Sequence, residues 1–201
     1  MLRLVKVLID ASFCSILMLS LAQADRLRVP MATTGADFGA PIAISQEGVN
    51  NLYQITALIY RSAQPSAKGM QSLEAMGIDT VLNLRSFHRD DALLQDTRLH
   101  AIRIPLHAWD VDEDEEDKLI AALQLLNNTK TPILVHCQHG SDRTGTIIAL
   151  YRMVIQNWSK EQAIAEMIQP KFGFHGVWKN IIRYLNRVDV VSMREKVLAA
   201  K

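Results

Sequence analysis

Pro132-Ile133-Leu134-Val135-His136-Cys137-Gln138-His139-Gly140-Ser141-Asp142-Arg143-Thr144-Gly145 is the stretch from which the rest of this chain can be read. Pro132 to Val135 is apolar, rich in β-branched residues and opened by a proline, which predicts a short buried strand. Past the loop, Ile147, Ile148, Leu150, Tyr151, Val154 and Ile155 recur at helical spacing. His136 to Gly145 is therefore a loop from a strand end to a helix start. Its backbone N–H groups can share one concave face, and the helix N-terminus adds unpaired donors and partial positive charge. Such a loop holds an oxyanion, here above a sulfur.

The side chains fit one chemistry. A thiol becomes a good nucleophile only when ionised, and helix N-termini or nearby cations lower its pKa from about 8.5 to roughly 3.5–7.5. The stretch offers both, in the helix opening near Thr144 and in Arg143. The planar fork of arginine grips two phosphate oxygens at once, which lysine cannot do. Gly140 and Gly145 permit close backbone approach, and the Thr144 hydroxyl is placed to donate to the cysteine sulfur. The strand, the H-C-x5-R-T-G loop and the helix together resemble the phosphate loop of cysteine-dependent tyrosine and dual-specificity phosphatases.

The chain of 201 residues suggests one domain. It is 49% hydrophobic and 21% charged, ordinary for a globular protein, and its formal net charge of +1 gives no basic excess for nucleic acid or anionic lipid. Residues 1–24 read as a cleaved signal peptide. Arg3 and Lys6 form the basic start, Ala11 to Leu21 the apolar core with Asp10 as a blemish, and Ala22-Gln23-Ala24 the small-x-small cleavage site. The alternative is an uncleaved anchor. Cleavage would leave a formally neutral chain with Cys137 as its sole thiol, because Cys14 departs with the leader. A periplasmic or secreted protein keeping one cysteine forms no internal disulfide, which favours a catalytic role.

Residues 25–48 read as an extended N-terminal segment, 49–190 as the main domain, and 191–201 as a charged tail that frays. Within the domain, Asn51–Ile55 and Leu58–Ser62 predict two short strands, Ser66–Met76 a helix stopped by Gly77, and Thr80–Leu84 a strand ending at Arg85. His88–Leu99 predicts a polar, acidic loop with some helix and Ala101–Pro105 another strand. Glu113–Asn127 predicts a helix capped by Asp112, Ser159–Gln162 a capping box, and Val177–Val188 a further helix. Strands alternating with helices predict an α/β fold, with a mostly parallel sheet of four to five strands flanked by helices. The anion cup falls at the carboxyl end of the last strand, where such sheets bind ligands. Arg61, at the end of a strand, is either a solvated residue or support for the cup.

Cleaving a phosphate ester needs a proton donor, and Leu106-His107-Ala108-Trp109-Asp110-Val111-Asp112 supplies candidates. Asp110 is preferred, beside an aromatic that would shield it and raise its pKa. Asp112 is the runner-up, with helix capping as its other role, and the acidic run Asp110–Asp117 otherwise reads as a solvated helix start. His136, Cys137, His139 and His107 are not read as metal ligands, since Arg143 in the same loop opposes a cation. His136 orients the loop from the strand end, His139 faces substrate, and His175 is a surface or packing residue.

The resemblance extends over residues 50–190. Leu58-Ile59-Tyr60-Arg61-Ser62-Ala63-Gln64-Pro65, Val81-Leu82-Asn83-Leu84-Arg85, Cys137–Gly145 and Tyr151-Arg152 together resemble the bacterial dual-specificity phosphatases, and with the leader, the periplasmic tyrosine phosphatases. The resemblance implies a cysteine-phosphatase fold, a phosphocysteine intermediate, no metal or other cofactor, and phosphotyrosine or phosphoserine/threonine substrates. It makes Cys137 the nucleophile, Arg143 the phosphate clamp, Thr144 the thiolate partner, and Gln138, His139, Gly140, Ser141, Asp142 and Arg143 the phosphate-binding backbone. Asp110 carries over as acid less directly, because some relatives hold the aspartate where this chain has Trp109. The partners expected are a phosphoprotein or phosphopeptide, no nucleic acid, and no membrane after signal cleavage, with a monomeric chain. Two alternatives stay open: a phosphatase of inositol phosphates or other small phosphoesters, and a non-catalytic phosphate-recognition module. Asp142 adds a negative charge beside Arg143 that must turn outward if phosphate is to bind well.

Overall fold

The computed structural model describes residues 39–199, within the compact unit that begins at Asp37; the leader and its cleavage site lie outside the described residues. Among the described residues, six strands form one sheet: β1 (Ile42–Ala43), β2 (Tyr53–Gln54), β3 (Ile59–Ser62), β4 (Thr80–Arg85), β5 (His100–Leu106) and β6 (Ile133–His136). Their spatial order is β1-β2-β3-β6-β4-β5. β3, β6, β4 and β5 run parallel, while β1 and β2 add a short antiparallel edge. The sheet thus has one strand more than the four to five expected. The extra strand, β1, lies in the segment read as extended lead-in, and two residues are too few for a periodic pattern to reveal.

The helices are α1 (Ala67–Ala75), α2 (Glu116–Asn128), α3 (Asp142–Val154), α4 (Lys160–Met167), α5 (Lys179–Arg187) and α6 (Val190–Ala199). Side chains alternate across the pleat. Leu82 and Leu84 of β4 and Ile133 and Val135 of β6 pack into a core with Leu123 of α2, Ile147 and Leu150 of α3, and Leu185 of α5. Val81 and Leu134 point the other way, toward Met70 and Leu73 of α1. β6 is covered on both faces, which explains its unbroken apolar run.

Local signals set several ends. Ser66 accepts from the Gly69 N–H at 3.0 Å to cap α1, and Gly77 takes φ +88° just past its end. Ser159 and Gln162 form the predicted capping box of α4. The tail does not fray. It forms α6, with Met193 and Val197 buried and the Arg194 guanidinium donating to the Val154 and Met153 carbonyls. Burying such side chains is worth roughly 1.5–3 kcal/mol each, a term that the charged look of the segment conceals. Within the core, Arg152 grips Glu166 with two bonds of 3.0 Å and lies 4.3 Å from the Trp158 ring centre.

Candidate active site

The strand order puts the carboxyl end of β6 between those of β3 and β4. The register sets His136 beside Ser62 on one side and Asn83 on the other. Arg61 from β3 and Arg85 from β4 therefore flank the loop that starts at Cys137, whose side chain sits at the floor, 1% exposed.

Three successive carbonyls of the loop are held by neighbouring parts of the chain. The Gln138 carbonyl accepts from the Gln64 N–H at 3.1 Å, that of His139 from the Asn51 side chain at 2.9 Å, and that of Gly140 from the Arg61 guanidinium. With the carbonyls fixed outside, the N–H groups are left for the inside. Among the described residues, no acceptor takes up the backbone N–H of any residue from Gln138 to Thr144; the first to bond is Gly145, to the Ser141 carbonyl at 2.8 Å. Gly140 makes the turn possible at φ +72°, and a β-carbon there would come within 2.5 Å of the Ser62 backbone. α3 begins at Asp142, earlier than its apolar spacing indicates, so the unpaired N–H groups of its first turn belong to the same cup.

Arg61 is no solvated strand residue. It is completely buried, lies 4.3 Å from the Phe172 ring centre, and supports the loop through Gly140. Burial pulls its pKa down to about 10, while the charges of Cys137 and Glu166 pull it back up. Arg143 is half-buried, with Nη1 3.4 Å from the Leu106 carbonyl and Nε unbonded. Thr144 is buried, but its hydroxyl makes no hydrogen bond, so the expected contact with the Cys137 sulfur is not formed.

His136 does orient the strand end, through a partner that sequence reasoning missed. Its Nε2 lies 2.9 Å from Asp90 Oδ2, and its Nδ1 3.2 Å from the Cys137 carbonyl, so each ring nitrogen faces an acceptor. Asp90 is 3% exposed, in a segment read as polar loop. Burial raises the Asp90 pKa, yet the His136 bond and charge, with bonds from Gln64 and Asn83, outweigh it and hold the carboxyl below its ordinary range. Gln64 links this pair to Arg85, donating to Asp90 at 2.9 Å and accepting from Arg85 at 3.0 Å. Burial first, then repulsion from Arg143, lowers the Arg85 pKa, with Asp90 and Cys137 opposing.

The acid candidates lie on the loop between β5 and α2. Asp110 is open to solvent and its N–H donates to the His107 carbonyl at 3.1 Å. Trp109 does not enclose it; that ring is 55% exposed and tilts against His107, centroids 4.9 Å apart. Asp112 accepts from the Asp114 N–H at 3.0 Å and caps a short 3-10 turn, Glu113–Glu115, rather than α2 itself. The acidic run is not wholly solvated either. Glu115 is buried and folds back, accepting from the His107 N–H at 3.1 Å and from Lys118 at 2.8 Å, with its Oε1 3.2 Å from His107 Nδ1. Asn180 of α5 fixes the loop's other side by donating to the Ala108 carbonyl at 2.9 Å. These long-range ties had no sequence signal beyond the polar residues themselves.

Asp142 turns away from the cup. Its carboxylate accepts from the His175 N–H at 2.9 Å and lies 2.8 Å from His175 Nδ1, so His175 is a partner of the loop and not merely a surface residue. His136 and His107 are each engaged with a carboxylate of their own; His139 is exposed, its ring 5.1 Å from that of His175.

Comparison with known proteins agrees with this geometry. Residues 59–186 match the family model described as dual specificity phosphatase, catalytic domain. The chain is 35% identical over 146 residues to the dual specificity protein phosphatase TpbA of Pseudomonas aeruginosa, covering 72% of this chain and 65% of that protein, just under two thirds of its length. Crystal structures of TpbA superpose with a TM-score of 0.70. One is 30% identical, covering 79% of this chain and 96% of that one; another, in complex with pTyr, is 28% identical and covers 82% and 99%. The catalytic core of the yeast PP-IP phosphatase Siw14 shares the fold, at a TM-score of 0.64, 22% identity, and coverage of 77% and 95%. By its loop, its sheet and these matches, the chain belongs to the dual specificity phosphatase family.

Proposed function

We propose that this protein is a cysteine-dependent phosphatase that hydrolyses phosphotyrosine monoesters, and phosphoserine/threonine monoesters as well, through a phosphocysteine intermediate. One observation carries the reading: the backbone N–H groups that directly follow the buried Cys137, from Gln138 to Thr144, are left without internal acceptors among the described residues. Donors fixed in advance around a developing oxyanion need no reorganisation during reaction. In this reading the Cys137 thiolate attacks phosphorus while the N–H groups and the Arg143 fork hold the three equatorial oxygens. Asp110 gives its proton to the leaving tyrosine oxygen. Water then attacks the phosphocysteine, with Asp110 taking the proton, and the thiolate is released. Arg61 and His136 support the loop from beneath. The phosphotyrosine assignment draws on the similarity to TpbA, one of whose structures holds pTyr.

Export to the periplasm is part of the proposal, supported by the basic, apolar and small-x-small order of residues 1–24. Phosphate release by the full chain from a phosphotyrosine peptide, a phosphothreonine peptide and inositol hexakisphosphate, in EDTA, tests the activity. The peptides should be hydrolysed well ahead of the inositol phosphate. The reverse order would favour the small-phosphoester reading, and release from none of them would favour a recognition module.

A further inference from the structure

On the side of β6 away from Leu106 lies a cluster of ligand-type side chains that the proposed chemistry does not use. His139, Asp142 and His175 each bring one ligand atom within 4.8 Å of the other two. His139 comes from the loop, Asp142 from the first turn of α3, and His175 from the turn after Phe172. The cluster opens into a groove also lined by Asn51, Tyr53, Ser141 and Lys171, so a hydrated ion can reach it. Two cations on neighbouring positions do not block it. The Arg143 guanidinium reaches toward the Leu106 carbonyl, on the other side of β6 from Tyr53 and the groove. The Lys171 ammonium is drawn over the rings of Phe172 and Tyr53, at 5.0 and 5.9 Å.

The geometry points to a binding site for a zinc-class divalent cation, with His139, Asp142 and His175 as protein ligands and water completing a tetrahedron. Two imidazoles and a carboxylate are a donor set that suits zinc and its late first-row neighbours. Ligand atoms sit about 2.0–2.2 Å from such an ion, so His139 must draw in while the 2.8 Å contact between Asp142 and His175 opens to admit the ion. The His139 side chain is exposed and can swing in, His175 would exchange its Nδ1 contact with Asp142 for the ion, and Asp142 is already buried and held by the His175 backbone. A bound ion would fasten the phosphate loop to the turn around His175 and neutralise the Asp142 carboxylate beside Arg143. The site would remain on the rim and take no part in the cleavage itself.

Cys137 is the obvious competing ligand for zinc, so the test removes it. Titration calorimetry with zinc chloride on the untagged full-length Cys137→Ser protein should show one equivalent bound. Adding His175→Ala should weaken that binding by at least about tenfold, the lower end of what loss of even an outer-shell partner costs. Adding His139→Ala should do the same, and cobalt(II) absorption should lose its tetrahedral bands in both variants. His175 is exposed in a turn, and circular dichroism confirms that the variant keeps its fold before titration. Zinc bound by the wild-type chain but not by Cys137→Ser would overturn the proposal, as would affinity unchanged by His175→Ala. Neither outcome touches the phosphatase reading, which phosphate release decides separately.

Discussion

The loop that follows β6 and the loop that follows β5 sit on neighbouring parts of the same site and are built in opposite ways. The first is tied down from outside at its backbone: Gln64, Asn51 and Arg61 hold three successive carbonyls, and Gly140 fits where no side chain would. The second is anchored at its start, by Glu115 on His107 and Asn180 on Ala108, while the next two residues, Trp109 and Asp110, face solvent. In the proposed mechanism the difference follows from what each must do. An oxyanion cup works only if its donors are fixed in advance. A proton donor has to reach a leaving oxygen that arrives with the substrate, and catalytic hydrogen bonds are often long until the complex forms. The first loop should therefore govern whether phosphate is held at all, and the second how fast a poor leaving group departs.

That division can be broken at its base. Cys137→Ser should reduce turnover to background while inorganic phosphate still binds, because the cup is backbone and Arg143 rather than sulfur. Retained turnover would remove Cys137 from the mechanism. The next effect in size belongs to the acid. A tyrosine leaving group has a pKa near about 10 and departs slowly without a proton. Asp110→Asn should slow a phosphotyrosine peptide by roughly 10²–10⁴-fold and affect p-nitrophenyl phosphate less. If Asp112→Asn showed that leaving-group dependence instead, the acid would lie two residues along. Arg143→Lys should lose at least about tenfold in kcat/KM, about 1.4 kcal/mol, on both substrates alike, since a point charge cannot replace the fork. A loss confined to the phosphotyrosine peptide would blur the distinction between the two loops.

The smallest kinetic change, and a clear stability change, should come from beneath the cup. Asp90→Ala leaves His136 buried without its carboxylate, and breaking a buried pair costs roughly 3–5 kcal/mol. Asp90→Asn should cost less, because an amide oxygen still accepts. The sign of the pH dependence follows from the depressed Asp90 pKa. A carboxyl with a lowered folded-state pKa stabilises the fold above its unfolded value of about 3.9. That contribution should shrink as pH falls through the lower folded-state value. Urea midpoints of wild type and Asp90→Asn should thus differ at neutral pH and converge below about pH 4; a gap that widened in acid would contradict the pair.

The parts of this molecule that are local in sequence were legible there. The strand–loop–helix around Cys137, the Ser159 capping box and the parallel core strands each follow from spacing within a few residues. What stayed hidden was contributed from far along the chain. Asp90 looked like one polar residue in a polar loop until β4 brought it to His136, and Glu115 looked solvated until it folded onto His107. His175 gave no sign that it faces Asp142. α6 was misread because its charges conceal Met193 and Val197, whose packing only the tertiary fold supplies. Asp110 is not shielded for the same reason, since adjacency of Trp109 in sequence does not decide where its ring lies.

The most direct measurement of the central claim is rapid quench of the wild-type protein while it turns over a phosphotyrosine peptide, followed by peptide mapping with mass spectrometry. A phosphoryl group should appear on the peptide that contains Cys137, and be absent from the Cys137→Ser protein treated in the same way. Sustained turnover with the phosphoryl group on a histidine, or with no phosphorylated protein at any quench time, would contradict the account.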